Sequence, residues 1–150
     1  MEINDQAPAV ATAEVLILAP LDVVWSVHTK IDEWSRWNPY VSKVNMRGPL
    51  SVGTEFHWKS GSSSITSTIQ EVEPERRIAW TGRTLGIRAI HVWTFQQTDK
   101  VVLVRTEESF EGLLVKLFGG PMRRLLRSSL EKGVQGLKTE CERRIRSGAA

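Results

Sequence analysis

Two side chains suited to acid–base chemistry fall at spacings that would place them face to face. His91 and Glu108 lie in neighbouring segments, Ile87 to Gln97 and Val101 to Phe110, whose apolar residues alternate as in β-strands. The Asp-Lys pair at 99–100 can form a two-residue turn between them. That turn places His91 opposite Glu108, with Cβ atoms about 4.5–5.5 Å apart, close enough for a hydrogen bond.

A buried histidine beside a carboxylate can serve as a general acid or base, because the carboxylate orients the ring and raises its basicity. The same pair could instead anchor a hydroxyl or carbonyl group of a ligand. The alternative is that His91 and Glu108 satisfy each other and do no chemistry. A register shifted by one residue would turn one partner outward.

The other polar candidates are weaker. His57 alternates outward, whereas His28 on the first helix is either a partly buried structural residue or a residue at a cavity mouth. Ser67 faces inward but has no base nearby in sequence, and Cys141 lies on the apolar side of a helix. The single cysteine excludes an internal disulfide, and the three histidines are not spaced as metal ligands, so we expect neither metal nor cofactor.

The elements that must position these residues follow from apolar periodicity. Seven strands are predicted, at 11–18, 41–47, 53–59, 63–72, 76–82, 87–97 and 101–110. Two short helices follow the first strand, one beginning at Pro20 and one over 32–37. After Gly119-Gly120-Pro121, read as a break with a Pro at the helix start, apolar residues recur at helical spacing from Met122 to Cys141. This order predicts an α+β fold in which a curved antiparallel sheet wraps around a long C-terminal helix.

Composition limits the class of protein. The chain has 150 residues, of which 41% are apolar and six are Trp, which indicates one folded domain. The net charge of +3 does not by itself imply a nucleic-acid partner. The N-terminus is unlike a signal peptide, and the longest apolar run is too short to span a bilayer, so a cytoplasmic location without membrane insertion is expected. We expect a flexible leader at 1–9, one domain at 10–146 and a flexible tail at 147–150.

Five segments together resemble a known superfamily. They are ILAPLDVVW (17–25), DEWSRWNP (32–39), VGTEF (52–56), EVEPERRIAW (71–80) and EESFEGLL (107–114), followed by a long helix ending in LKTECERR (137–144). In order and spacing they resemble the START-like helix-grip superfamily, called SRPBCC, and its polyketide cyclase/dehydrase-like branch. The resemblance implies a cavity between sheet and helix. It implies no particular reaction, because members bind lipids, hormones and polyketides and no catalytic set is shared.

Alternation predicts which side chains line such a cavity. The expected ligand-binding residues are Trp25, Trp37, Phe56, Trp58, Ile69, Trp80, Trp93, Phe95, Phe110, Leu117, Met122, Leu126 and Leu130. Large aromatic side chains on one wall suit a hydrophobic or flat ligand, although they could equally fill the interior. By resemblance, the apolar stretch Leu113 to Phe118 is a flap at the entrance, with Gly119 and Gly120 either as its hinge or as tightly packed residues.

Three functions remain open at this point. The first is binding of a hydrophobic small molecule, such as a lipid, an aromatic compound or a polyketide. The second is a cyclase or dehydratase that uses His91 and Glu108 as an acid/base pair. The third is an interaction domain that uses the basic face of the long helix, although no aromatic residue interleaves with those charges and no nucleic-acid partner is expected. The chain could be a monomer or a homodimer, since Ile90, Val92 and Leu103 were predicted on the outer sheet face.

Overall fold

The computed structural model describes residues 1–148. The strands are β1 Ala9–Ile17, β2 Val41–Met46, β3 Glu55–Ser60, β4 Ser63–Glu73, β5 Arg77–Thr84, β6 Ile87–Thr98 and β7 Val101–Glu111. The helices are α1 Leu21–Thr29, α2 Leu113–Leu117 and α3 Gly119–Arg146, with a 3-10 helix at Ile31–Arg36. The strands, the two short helices and the long helix occur in the predicted order, with most boundaries within two residues, and the short helix α2 is an element that was not predicted.

The seven strands form one antiparallel sheet in the order β1-β7-β6-β5-β4-β3-β2. Consecutive strands from β2 to β7 pair as neighbours, and β1 closes against β7. Pairing is irregular between Val41 and Lys43 and between Ile69 and Glu71. Such bulges bend and twist a strand, which curves the sheet around α3. The α+β helix-grip fold is confirmed.

The β6–β7 hairpin has the predicted register. Thr98 pairs with Val101 across a two-residue turn in which Asp99 has a positive φ of 51°. Asp is one of the few residues besides glycine that adopt this conformation readily. From this turn the ladder places His91 opposite Glu108.

Helix α3 packs its apolar stripe mainly against β1, with further contacts to α1 and β7. Buried residues of the stripe are Leu126, Leu130, Gly133, Val134, Leu137 and Cys141. Gly136 allows the closest approach, since a Cβ there would lie 2.2 Å from the carbonyl oxygen of Trp37. None of the helices within residues 1–148 combines the length and the apolar character that a membrane crossing requires.

The start of α3 differs from the prediction. Gly119 and Gly120 do not form a break or hinge before a helix that starts at Pro121; all three residues belong to the first turn, and Met122 N donates to Phe118 O at 3.0 Å. Backbone N–H groups in a first turn have no acceptor within the helix, so Pro121 removes no helical hydrogen bond there. The break lies one residue earlier, at Phe118.

The segment predicted as a flexible leader makes defined contacts with the outer face of the sheet. Asn4 N donates to Ser109 Oγ at 3.1 Å on β7, and Arg77 on β5 pairs with Glu2 at 2.8 Å. Val92 lies on the same outer face, where it was expected to be available for a dimer contact. The residue is only 1% exposed. The N-terminal segment therefore covers part of the outer face. Of the predicted tail, only 147 and 148 lie among the described residues.

Candidate ligand cavity

A cavity of about 340 Å³ lies between the concave face of the sheet and α3. Its walls come from β3 to β7, from the β3–β4 turn, and from Asn38 and Tyr40 ahead of β2. The opposite wall is the N-terminal half of α3, from Met122 to Gly133. The volume is at the lower end of the range for small-molecule sites, so it suits a compact ligand.

Seven of the predicted ligand-binding residues line this cavity: Trp58, Trp80, Trp93, Phe110, Met122, Leu126 and Leu130. They provide three indole rings on the sheet side and three apolar side chains on the helix side. Such walls bind by burial of apolar area and favour a flat or hydrophobic molecule.

The other six predicted residues lie elsewhere. Trp25, Trp37, Phe56, Ile69 and Phe95 do not line the cavity. Phe95 packs edge-on against Trp25, with ring centroids 5.3 Å apart, and Phe56 packs likewise against Trp34. This end of the sheet is filled by α1 and the 3-10 helix, which leave no space for a ligand.

Leu117 is also outside the cavity. It lies on α2, where its side chain is 66% exposed and Val115 is the buried residue. The stretch predicted as an entrance flap contains this short helix, and Leu113, Leu117 and Phe118 are exposed whereas Val115 is buried.

His91 and Glu108 meet on the cavity wall. His91 Nδ1 lies 3.5 Å from Glu108 Oε1, and His91 Nε2 lies 2.7 Å from the hydroxyl oxygen of Thr106. When Nε2–H donates to Thr106, Nδ1 is left as an acceptor facing the carboxyl group. Both ring nitrogens are therefore directed at protein groups.

Burial shifts both pKa values toward the uncharged forms. It raises the pKa of Glu108 to about 8. Burial, together with the nearby His28, lowers the pKa of His91 to about 3. At neutral pH the wall thus presents a neutral carboxylic acid beside a neutral imidazole.

Glu108 is the member of the pair that can contact a ligand. Its side chain lines the cavity, and among residues 1–148 no group is hydrogen-bonded to its carboxyl oxygens. A neutral carboxylic acid in an apolar site can donate a hydrogen bond to a ligand oxygen. His91 Nδ1 lies 3.5 Å from this carboxyl group, and among the described residues it has no hydrogen-bond partner.

His28 lies behind the cavity wall. Its ring is 4.4 Å from that of Trp93 and 6.2 Å from that of Trp80, centroid to centroid, and only 1% of the residue is exposed. Within the described part of the chain neither ring nitrogen has a hydrogen-bond partner. Burial lowers its pKa to about 3. His28 is therefore a buried neutral residue rather than a residue of the cavity mouth.

The remaining candidates lie as the alternation predicts. His57 is half-buried, with Nδ1 3.1 Å from Thr66 Oγ1. Ser67 lines the cavity and accepts a hydrogen bond from Trp58 Nε1 at 3.0 Å. Cys141 is buried in the core, where burial raises the pKa of its thiol to about 12.

Several lining residues were not predicted. Asn38 and Tyr40 enter from the loop before β2, and Tyr40 Oη lies 3.1 Å from Ser128 Oγ on α3. Ser129 and Gly133 extend the same wall. The helical spacing of Ser129 and Gly133 relative to Leu126 and Leu130 places all four residues on one stripe of α3, and it therefore indicates that they share the cavity wall. The positions of the large apolar side chains alone do not indicate Ser129 and Gly133.

The described geometry defines a helix-grip protein with an apolar internal cavity. Residues 8–142 match the family described as polyketide cyclase / dehydrase and lipid transport. The chain belongs to that family. No curated protein matches the chain.

Solved structures share the fold at low sequence identity. A hypothetical protein from Helicobacter pylori has a TM-score of 0.83 and 17% identity, covering 91% of this chain and 90% of its own. The Zhui aromatase/cyclase from a Streptomyces species has a TM-score of 0.74 and 18% identity, covering 94% and 98%. A START superfamily protein from Mycobacterium smegmatis has a TM-score of 0.71 and 12% identity, covering 89% and 97%.

Proposed function

We propose that the protein binds a hydrophobic small molecule in the cavity between the sheet and α3. The observation that carries this proposal is a mainly apolar cavity on whose wall the Glu108 carboxyl makes no hydrogen bond within residues 1–148, whereas the lining hydroxyls of Ser67 and Tyr40 have partners. Apolar walls provide affinity by burial, and a few polar groups provide orientation. The family description, which includes lipid transport, supports the same class of ligand.

The ligand is proposed to carry a carbonyl or hydroxyl oxygen that accepts the proton of Glu108. A ligand carboxylate beside Glu108 is disfavoured, because that carboxyl group itself ionises at higher pH; the one lysine or arginine on the described lining, Arg83, is an exposed residue of β5. The lining therefore favours a neutral ketone, alcohol or phenol with a flat or branched apolar body.

Native mass spectrometry of the freshly purified protein tests this proposal. A bound molecule should appear at one per chain and should be recovered by denaturing extraction. Ser129→Phe would place a ring in the cavity and should abolish the adduct. Gln135→Phe introduces the same ring at an exposed position of α3 outside this cavity and should leave it intact. An adduct that survives equally in Ser129→Phe would place the ligand elsewhere.

A second candidate function is cyclisation of a polyketone. The neutral Glu108 carboxyl and the cyclase part of the family description favour it. Glu108 would give its proton to a ketone oxygen while the enol carbon α to another carbonyl attacks that ketone. The enol O–H proton then passes to the Glu108 carboxylate, so one C–C bond forms, the ketone becomes a hydroxyl, the enol becomes a carbonyl and Glu108 ends protonated.

In this reaction His91 would be a positioning residue, because neither of its nitrogens faces the open cavity. The test is incubation with a tetraketide thioester of N-acetylcysteamine, with cyclised product followed by liquid chromatography and mass spectrometry. Turnover should be lost in Glu108→Ala and reduced in His91→Ala. Product formation that is equal in wild type and Glu108→Ala would rule out this candidate.

A further inference from the structure

Six large apolar side chains are exposed together at one end of the molecule. They are Leu85, Leu113, Leu114, Leu117, Phe118 and Leu125, and we call this set the mouth patch. Exposed fractions of 69% for Leu113 and 66% for Leu117 are high for leucine in a water-soluble domain, and clusters of this kind mark interaction surfaces.

The mouth patch is continuous in space with the cavity. A Cβ on Gly86, next to Leu85 in the β5–β6 turn, would lie 3.3 Å from Leu114 Cδ1, which brings that turn against α2. Leu125 is 55% exposed and also lines the cavity, beside Met122. Apolar surface thus runs from the outside of the protein into the cavity at this end.

The charged residues of the segment that carries most of the mouth patch are all basic. Lys116, Arg123, Arg124 and Arg127 are exposed, and the stretch from 112 to 130 has no acidic residue. Within residues 1–148 none of these four cations lies within ion-pair distance of a carboxylate; Arg123 donates to the carbonyl oxygen of Pro8 at 3.0 Å.

The C-terminal half of α3 is different. Lys138 pairs with Glu142 at 2.7 Å, and Arg143 and Arg144 pair with Glu140 at 2.9 and 3.0 Å. Three cations in the C-terminal half of α3 are thus paired with carboxylates of the same half, whereas Arg123, Arg124 and Arg127 beside the mouth patch have no such pair within residues 1–148. A partner that binds the mouth patch together with these cations must be negatively charged and able to bury apolar side chains.

From these observations we infer that the mouth patch docks on an anionic lipid bilayer. Leucine and phenylalanine side chains would enter the boundary between headgroups and acyl chains, while the four cations contact lipid phosphates. A second copy of the chain does not fit, because a symmetric contact would oppose the same cations. A bilayer also explains why the patch adjoins an apolar cavity, since docking would open that cavity toward hydrocarbon rather than water.

This inference is independent of the proposed ligand, and vesicle cosedimentation tests it. Wild-type protein should bind phosphatidylcholine vesicles that contain phosphatidylglycerol, should bind pure phosphatidylcholine weakly, and should be released by high salt. Arg124→Ala/Arg127→Ala should lower the partition coefficient about 25-fold, at about fivefold for each cation. Leu117→Ser/Phe118→Ser should also weaken binding to the vesicles, although it leaves the charge of the protein unchanged.

Matched controls lie away from the patch. Arg47→Ala/Lys100→Ala removes the same charge from exposed positions at the opposite end of the sheet, and Leu18→Ser/Val52→Ser removes exposed apolar side chains elsewhere. Both controls should bind anionic vesicles as wild type does, and circular dichroism should show that every variant is folded. Controls that weaken binding as much as the patch variants would overturn the inference. Failure of wild type to bind anionic vesicles would also overturn the inference. Binding to polyglutamate, a soluble polyanion, would not change that conclusion.

Discussion

The imidazole ring of His28 lies 4.4 Å from the indole ring of Trp93, in a cluster of aromatic side chains where neither imidazole nitrogen has a partner among residues 1–148. A buried polar group without hydrogen bonds lowers stability by about 1–3 kcal/mol. The residue therefore occupies a core position at which a polar side chain is a cost to folding.

His28→Leu should stabilise the protein. At pH 7 the expected gain is about 1–3 kcal/mol in the free energy of unfolding, measured by urea denaturation. His28 stays neutral in the folded state because its pKa is about 3, whereas its unfolded pKa is 6.5. Its presence therefore costs increasing stability as the pH falls from 6.5 toward 3, and the gain should grow by about 1.4 kcal/mol per pH unit below 6.5.

His57→Leu is the matched control, because His57 is half-buried and bonded to Thr66. It should bring no gain in stability, because the substitution removes the hydrogen bond to Thr66. A pH-independent or negative effect of His28→Leu would show that the ring is hydrogen-bonded or charged in the native protein.

Glu108→Gln should remove a loss of stability that wild type shows between pH 4.5 and pH 8. The folded-state pKa of Glu108 is raised from 4.5 to about 8, so the unfolded chain loses its proton first. Stability that is present at pH 4.5 is therefore lost as the pH rises to 8. The amide has no proton to lose, and the variant should exceed wild type by a few kcal/mol at pH 8 but match it at pH 4.5.

Thermal unfolding of the two proteins across pH 4.5 to 8 provides the comparison. Melting temperatures that differ by a constant amount over this range would mean that Glu108 is ionised in the native state.

Ligand affinity should depend on the same proton. The neutral ketone 6-propionyl-2-(dimethylamino)naphthalene fits the proposed ligand class, and its fluorescence reports an apolar environment. Wild-type affinity should be constant up to about pH 8 and then fall about tenfold per pH unit as Glu108 ionises. Glu108→Gln keeps an N–H donor and should remove this decline. A decline that persists in Glu108→Gln would assign the titration to another group.

Gly136→Ala should destabilise the protein. The new methyl group would meet the carbonyl oxygen of Trp37 at 2.2 Å, which forces the helix and the loop apart. We expect a net loss of about 1–3 kcal/mol, since this clash exceeds the gain in helix propensity. Gly120→Ala has no atom within 4 Å of the added Cβ and should cause no loss. Equal urea midpoints for wild type and Gly136→Ala would contradict the close contact between Trp37 and α3.

The sequence was sufficient to predict which side chains face inward and how β6 pairs with β7. Side chains alternate with a period of two, so Trp93 and Phe95 set the face of His91, and the turn at Asp99 sets its partner. Both steps depend on local geometry, which neighbouring residues determine.

The extent of the cavity could not be predicted in the same way. Phe95 and Trp93 share a face, but Phe95 is covered by Trp25 while Trp93 borders the cavity. Which inward residue stays uncovered depends on where α1 and α3 cross the sheet, and those positions arise from contacts distant in sequence. The protonation states of His91 and Glu108 likewise depend on burial, which the alternation pattern does not quantify.

The most direct test of the central claim is a titration of wild type, Ser129→Phe and Gln135→Phe with 6-propionyl-2-(dimethylamino)naphthalene at pH 7. The account predicts saturable binding at one per chain in wild type and Gln135→Phe, with blue-shifted emission, and loss of binding in Ser129→Phe. Absence of saturable binding to wild type, or unchanged binding to Ser129→Phe, would contradict a ligand site between the sheet and α3.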